Sequence, residues 1–223
     1  MRLSAIAIAV ITLAGAAAVT AQEAAPELER TYFRTAAGPR SLARYADCLI
    51  NRHPQEARAL FEHDPGSSGY NQAQAQLFDN SSTCLFSNRS LSWSGVMMMG
   101  TLAENLIRDD SVERPTGRML RAEFTGGGTY RWQWQGLSQE NEWRLLPLAE
   151  CLLTRHGEQV SAVLGERANA EGERKAFNAM SAEISDCIPR GEQRALQPQQ
   201  LRAALAATYY RAARAASSSR APA

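Results

Sequence analysis

The chain has 223 residues, a length that suits one domain or two small ones. Its 24 basic and 23 acidic residues leave almost no net charge. A balanced chain lacks the bulk positive charge that nucleic acids and anionic membrane surfaces attract, so neither is an expected partner.

The N-terminus has the pattern of a signal peptide. A basic start precedes an apolar run from Leu3 to Val19, and Val19-Thr20-Ala21 places small residues where signal peptidase cleaves. We expect cleavage after Ala21, which makes 1–21 the signal peptide and 22–40 a flexible N-terminal segment. The apolar run is short and alanine-rich for a membrane span, so we predict a periplasmic or secreted protein without a membrane anchor. An uncleaved anchor helix is the alternative.

An eight-residue motif that occurs twice is the central feature of the sequence. It spans Ala46–His53 and recurs at Ala149–His156, 103 residues later, with five of eight positions identical. The other two cysteines, Cys84 and Cys187, obey the same offset, so each copy holds two cysteines 36 residues apart. Tandem duplication of one structural unit accounts for this pattern.

Four cysteines in an exported chain indicate disulfides rather than metal or redox chemistry. They permit three pairings, and the duplication favours Cys48–Cys84 with Cys151–Cys187, because each unit would then carry its own bond. Each bond contributes about 4 kcal/mol on the chain-entropy account. No Cys-x-x-Cys occurs and the histidines are not at zinc-ligand spacings from the cysteines, so no metal or other cofactor is predicted.

Apolar residues recur at helical spacing in both copies, which predicts an all-α fold built from two disulfide-stapled modules of four helices. In repeat 1 (41–110) the predicted helices are Ser41–Arg52, Pro54–Glu62, Tyr70–Phe78 and Val96–Arg108. In repeat 2 (147–211) they are Leu148–Arg155, Glu158–Leu164, Glu171–Ile184 and Leu201–Arg211. The Ala/Ser/Arg-rich tail, 212–223, is expected to be disordered.

The motif Ala-Asp/Glu-Cys with Arg-His, followed later by Leu-Ala and Arg, resembles uncharacterised exported proteins of alphaproteobacteria that carry one or more Cys-paired helical units. Here the later residues are Leu102, Ala103 and Arg108, repeated as Leu205, Ala206 and Arg211. The resemblance covers both repeats but not the segment between them. It implies a helical fold and export, and it implies no known activity.

The segment between the copies, 111–146, differs from both. Apolar and polar residues alternate before a glycine-rich turn, and Tyr130, Trp132 and Trp134 alternate with polar residues beyond it. A period of two predicts a short β-hairpin. These three aromatic residues are candidates for binding a sugar or a peptide, although their burial over the junction of the repeats is the favoured interpretation.

No catalytic residue is predicted. His53 and His156 recur at predicted helix ends, where a helix cap explains both, and His63 has no evident partner. The run Met97-Met98-Met99 is interpreted as core or inter-repeat contact rather than a metal site.

Three functions are compatible with the sequence. The favoured one is a non-enzymatic interaction or structural protein that binds another periplasmic protein. A carrier of a small apolar ligand between helices is the alternative, and a hydrolytic enzyme is the least favoured. We interpret the carboxylates Glu104, Asp109 and Asp110 as a solvated helix end, and they do not indicate an active site.

Overall fold

The structure is a computed structural model that describes residues 37–79, 81–85, 94–110, 112, 143–188 and 196–219. This part of the chain is 83% helical, with eight α-helices and no strand. The helices are α1 Ala37–Arg52, α2 Pro54–Ala59, α3 Ser68–Asp79, α4 Gly95–Asp109, α5 Leu145–Gly165, α6 Glu171–Ala179, α7 Ser181–Cys187 and α8 Pro198–Ser219. Short 3-10 turns, Leu60–Glu62 and Ser81–Cys84, follow α2 and α3. The predicted signal peptide and the predicted hairpin, with Tyr130, Trp132 and Trp134, lie outside the described residues.

Helices α1 and α2 are separated where the sequence predicts a break. His53 has non-helical backbone angles (φ −133°, ψ 55°), and Pro54 opens α2, where the missing N–H costs no helical hydrogen bond. The first helix begins at Ala37 rather than Ser41, so 37–40 of the segment predicted to be flexible are helical. Pro39 is tolerated there because it lies in the first turn.

In the second half, α5 contains the break predicted between helices 148–155 and 158–164, because two helical segments meet there at a kink. The kink is at His156 (φ −134°, ψ 39°). Gly157, unlike the proline at the same place in the first half, keeps its N–H donor, so helical hydrogen bonding can resume directly after the kink.

The predicted helix 171–184 is in turn divided into α6 and α7. The division is at Met180, which is fully buried and has angles outside the helical region (φ −93°, ψ 9°). Its N–H donates to the carbonyls of Ala176 and Phe177, both at 3.1 Å, which tightens the last turn of α6.

The C-terminal helix α8 continues to Ser219, into the tail that the sequence predicts to be disordered from 212. Two features support the extension. Residues 212–216 are alanines apart from Arg214, and alanine is the strongest helix former. Ala215 packs against the core, and Arg214 pairs with Glu62 at 3.3 Å.

Both predicted disulfides are present and lie within one half of the chain. Cys48–Cys84 joins α1 to the 3-10 turn after α3. Cys151–Cys187 joins α5 to the end of α7.

Helices α4 and α8 form the centre of the molecule. Every residue of α8 from Leu201 to Ala212 is buried, a pattern typical of a helix that is surrounded on all sides. Helix α4, which Ser94 caps through the N–H of Met97, is buried over most of its length. The two helices touch at Gly100, where an added Cβ would lie 2.2 Å from the Cα of Ala203.

Gly100→Ala should therefore lower the free energy of unfolding by about 1–3 kcal/mol, the usual cost of overpacking a core. The sign of this change distinguishes a crowded site from an open one, because Gly→Ala in an uncrowded helix interior raises the free energy of unfolding by about 1 kcal/mol. Urea denaturation of the two proteins measures the difference. A neutral or stabilising result would contradict the close backbone crossing.

Candidate functional site

The residues that the sequence singles out do not form a common site. All four cysteines are in disulfides. Met97, Met98 and Met99 are 7%, 3% and 1% exposed in α4, which makes them core residues. The imidazole of His63 lies against Gly69, whose added Cβ would be 2.6 Å from Nδ1.

A cleft of about 760 Å³ opens between the two halves instead. Its walls are α4, the C-terminal end of α5 with the residues that follow it, and one side of α8, with Ala43 of α1 beside them. This volume lies within the range of small-molecule sites, which is about 300–1,000 Å³. Its lining combines aliphatic, amide and charged groups, contributed by Ala43, Thr101, Glu104, Asn105, Ile107, Arg108, Val112, Ser161, Leu164, Gly165, Glu166, Arg167, Ala168, Arg202 and Tyr209.

The buried guanidinium of Arg202 holds the walls of the cleft together. Nε donates to Glu104 on α4 at 2.7 Å, and Nη1 donates to Glu173 on α6 at 3.2 Å. Nη1 and Nη2 also donate to the carbonyls of Val163 (2.8 Å) and Glu166 (3.0 Å) at the end of α5. Carbonyls at the last turn of a helix lack the full set of helical donors, so Arg202 caps α5 while it joins α8 to three other helices.

Asn105 brings an unpaired donor to the cleft. The residue is 5% exposed, and its Oδ1 accepts a hydrogen bond from Nη2 of Arg108. Its Nδ2 is buried and has no hydrogen-bond partner. A buried donor without a partner costs about 1–3 kcal/mol, so a side-chain rotation that brought Nδ2 to an acceptor in the cleft would recover this energy.

Among the described residues, the charged side chains of the lining that have no ion pair carry a net positive charge. Arg108 and Arg167 are both exposed and line the cleft, and Arg167 has no ion pair among the described residues. Of the two carboxylates of the lining, Glu104 pairs with Arg202. Glu166 is exposed and lies near the start of α6, where a Cβ added to Gly172 would be 2.1 Å from Oε2.

Across the molecule, α8 meets the first half through a second polar cluster. Arg58 donates to both carboxylate oxygens of Asp110, with the shortest distance 2.5 Å, and the hydroxyl of Tyr210 donates to Asp110 Oδ2 at 2.6 Å. The interpretation of Glu104 and Asp110 as a solvated helix end is therefore wrong. Their partners are 52 to 100 residues away in sequence, so no local pattern points to them.

This second cluster shifts the protonation of its members. The hydrogen bond from Arg58 lowers the pKa of Asp110 below its ordinary value, even though burial acts in the opposite direction. Burial and the bond to Asp110 raise the pKa of Tyr210 far above 10. The cluster is thus fixed as a carboxylate between a guanidinium and a neutral phenol across the neutral pH range.

Nothing in the described residues points to a metal site or a membrane span. No group of three or more His, Cys, Asp or Glu side chains in this part of the chain could hold a metal ion. None of its helices combines the length and apolar character needed to cross a bilayer.

Comparisons with protein-family models, with curated proteins and with solved structures found no match to this chain.

Asp110→Asn should reduce the free energy of unfolding at pH 7 by about 1–3 kcal/mol, the cost of leaving hydrogen-bonded partners unpaired. The pKa of Asp110 is lower in the folded protein than in the unfolded chain. The stabilisation that its carboxylate provides is therefore present above the ordinary pKa of about 4, and it is lost as the pH falls through the pKa of the folded state. Urea denaturation at pH 7 and pH 3 should therefore show a difference between the proteins that shrinks in acid. A difference that is constant with pH would contradict the assignment.

Proposed function

We propose that this chain is an exported, non-enzymatic binding protein in which two copies of a disulfide-stapled helical unit hold a small molecule between them. The observation that carries the proposal is the cleft, whose lining includes Asn105 with its buried, unpaired Nδ2. Concave sites with a few convergent polar groups are the usual form of small-molecule sites.

Several parallels support the duplication. The disulfides recur 103 residues apart, and so do the non-helical residues His53 and His156, whose backbone angles are similar. Gly100 and Ala203, which touch at the crossing of α4 and α8, are separated by the same 103 positions. Two related units joined at equivalent residues would produce such a crossing.

Two disulfides support export, because such bonds form and persist in oxidising compartments. The predicted signal peptide, 1–21, points the same way, and cleavage after Ala21 would release the chain into the periplasm or beyond it.

The cleft favours a carrier of a small ligand over a docking platform for another protein. Leu85, 37% exposed, is the one large apolar side chain that is exposed among the described residues, so this part of the surface has no apolar patch of the kind that marks a protein interface. The cleft also differs from the apolar cavity expected for a carrier, because arginine and amide groups share its lining.

Leu164→Trp provides the test, because Leu164 lines the cleft and an indole there would fill it. We expect native mass spectrometry of the protein isolated from its own compartment, together with thermal-shift screening of small molecules, to find ligands for the wild type. A ligand at 100 times its Kd stabilises the folded state by about 2.7 kcal/mol, enough to raise Tm by several degrees. Leu164→Trp should abolish these shifts.

The matched control is Ala162→Trp, since Ala162 is exposed on the same helix and does not line the cleft. This variant should keep every shift. Ligands that still stabilise Leu164→Trp to the wild-type extent would show that the binding site is elsewhere.

A further inference from the structure

We infer that the cleft binds a small organic anion, a carboxylate attached to a ring-sized apolar body. This inference rests on the proposed function and adds the chemical class of the ligand. Its basis is a comparison between the cleft and the place in the same molecule that corresponds to it at the 103-residue offset. There, the protein's own side chains fill the space.

The corresponding place is the closed contact, formed by Phe61, Asp64, Tyr210 and Arg211. Here the turn after α2 packs against α8. The rings of Phe61 and Tyr210 meet edge to face with centroids 4.8 Å apart. Arg211 Nη1 donates to Asp64 Oδ1 at 2.7 Å, so an aromatic pair and an ion pair seal this contact.

At the cleft, other residues replace both the aromatic pair and the ion pair of the closed contact. Phe61 corresponds to Leu164 and Tyr210 to Ile107, so two aliphatic side chains stand where the closed contact has two rings. Both Leu164 and Ile107 line the cleft. The smaller side chains leave open the space that the two rings fill in the closed contact.

The charged residues also differ between the closed contact and the cleft. Arg211 corresponds to Arg108, which keeps its charge, but Asp64 corresponds to Arg167, which reverses it. An ion pair thus becomes two cations that line one cleft, against a single lining carboxylate without an ion pair among the described residues, Glu166, since Glu104 pairs with Arg202. Like charges at one site are unfavourable unless an anion lies between them.

The amide of Asn105 adds a third donor. Its counterpart at the 103-residue offset is Thr208, whose hydroxyl donates to the carbonyl of Ala204 at 2.8 Å within its own helix. Asn105 Nδ2 has no such partner. A carboxylate could accept from Asn105 and from the arginines, whose planar guanidinium groups suit its two oxygens, while its apolar body takes the place of the missing rings.

Three probes with one ring system and different charges test this class of ligand: 2-naphthoate, 2-naphthalenemethanol and protonated 2-naphthalenemethylamine. Isothermal titration calorimetry of the disulfide-bonded protein should give binding of naphthoate at least about tenfold tighter than the alcohol, because hydrogen bonds to charged groups are the stronger ones. The amine should bind most weakly.

Arg167→Asp tests the charge reversal directly, because it restores the acidic residue found at position 64 of the closed contact. We expect it to weaken naphthoate binding about tenfold or more and to leave the alcohol unaffected, which also shows that the variant is folded. Arg167→Lys should retain most of the affinity. Arg155→Asp, an equal change of charge at an exposed position of α5 outside the cleft, should bind naphthoate like the wild type.

Equal affinity for the three probes, or naphthoate binding that Arg167→Asp does not weaken, would overturn the anion inference. So would the failure of naphthoate to bind at about 1 mM, a concentration that detects even weak association. In each case the loss of stabilising ligands in Leu164→Trp remains a separate readout, so the proposed function can survive the failure of this inference.

Discussion

The contact between Gly100 and Ala203 is the constraint on which the rest of the structure depends. The backbones of α4 and α8 approach so closely there that no side chain fits on Gly100. This approach puts α8 among the other helices, where twelve consecutive residues from Leu201 to Ala212 are buried. It also fixes where the remaining helices of each half can pack, and thereby the positions of both the closed contact and the cleft.

Polar groups stabilise this arrangement where apolar packing alone would be ambiguous. A helix that is buried all round could rotate or slide with little change in buried area. The hydrogen bonds of Arg202 and Asp110, in contrast, form in only one position of α8. Arg202 selects the placement of α8 against α4 and the end of α5. Asp110, between Arg58 and Tyr210, selects its placement against the first half.

Local features of the fold were predictable from sequence, and relations between the halves were not. Helical periodicity predicted the helices near Cys48 and Cys151, and the repeat predicted both disulfides, because these follow from spacing along the chain. The break at His156 was predicted as well. The division of the predicted helix 171–184 at Met180 was missed, because a periodic apolar pattern does not register the backbone angles of one buried residue.

The cleft could not be predicted, because it depends on residues that are distant in sequence. Asn105 and Arg167 come together only when α4 and the end of α5 are placed on the same side of α8. One signal was nevertheless present. At the 103-residue offset, Arg167 stands where the first half has Asp64 and Leu164 where it has Phe61, and both differences lie in the lining of the cleft.

The positions of the disulfides have a consequence for the covalent connectivity of the protein. Each bond closes within its own half, so the polypeptide between Val112 and Trp143 is the sole covalent link between residues 37–112 and 143–219. A single proteolytic cut in that link would produce two separate polypeptides. Only the noncovalent contacts centred on α4 and α8 would then hold them, as the subunits of a heterodimer with its cleft at the subunit interface.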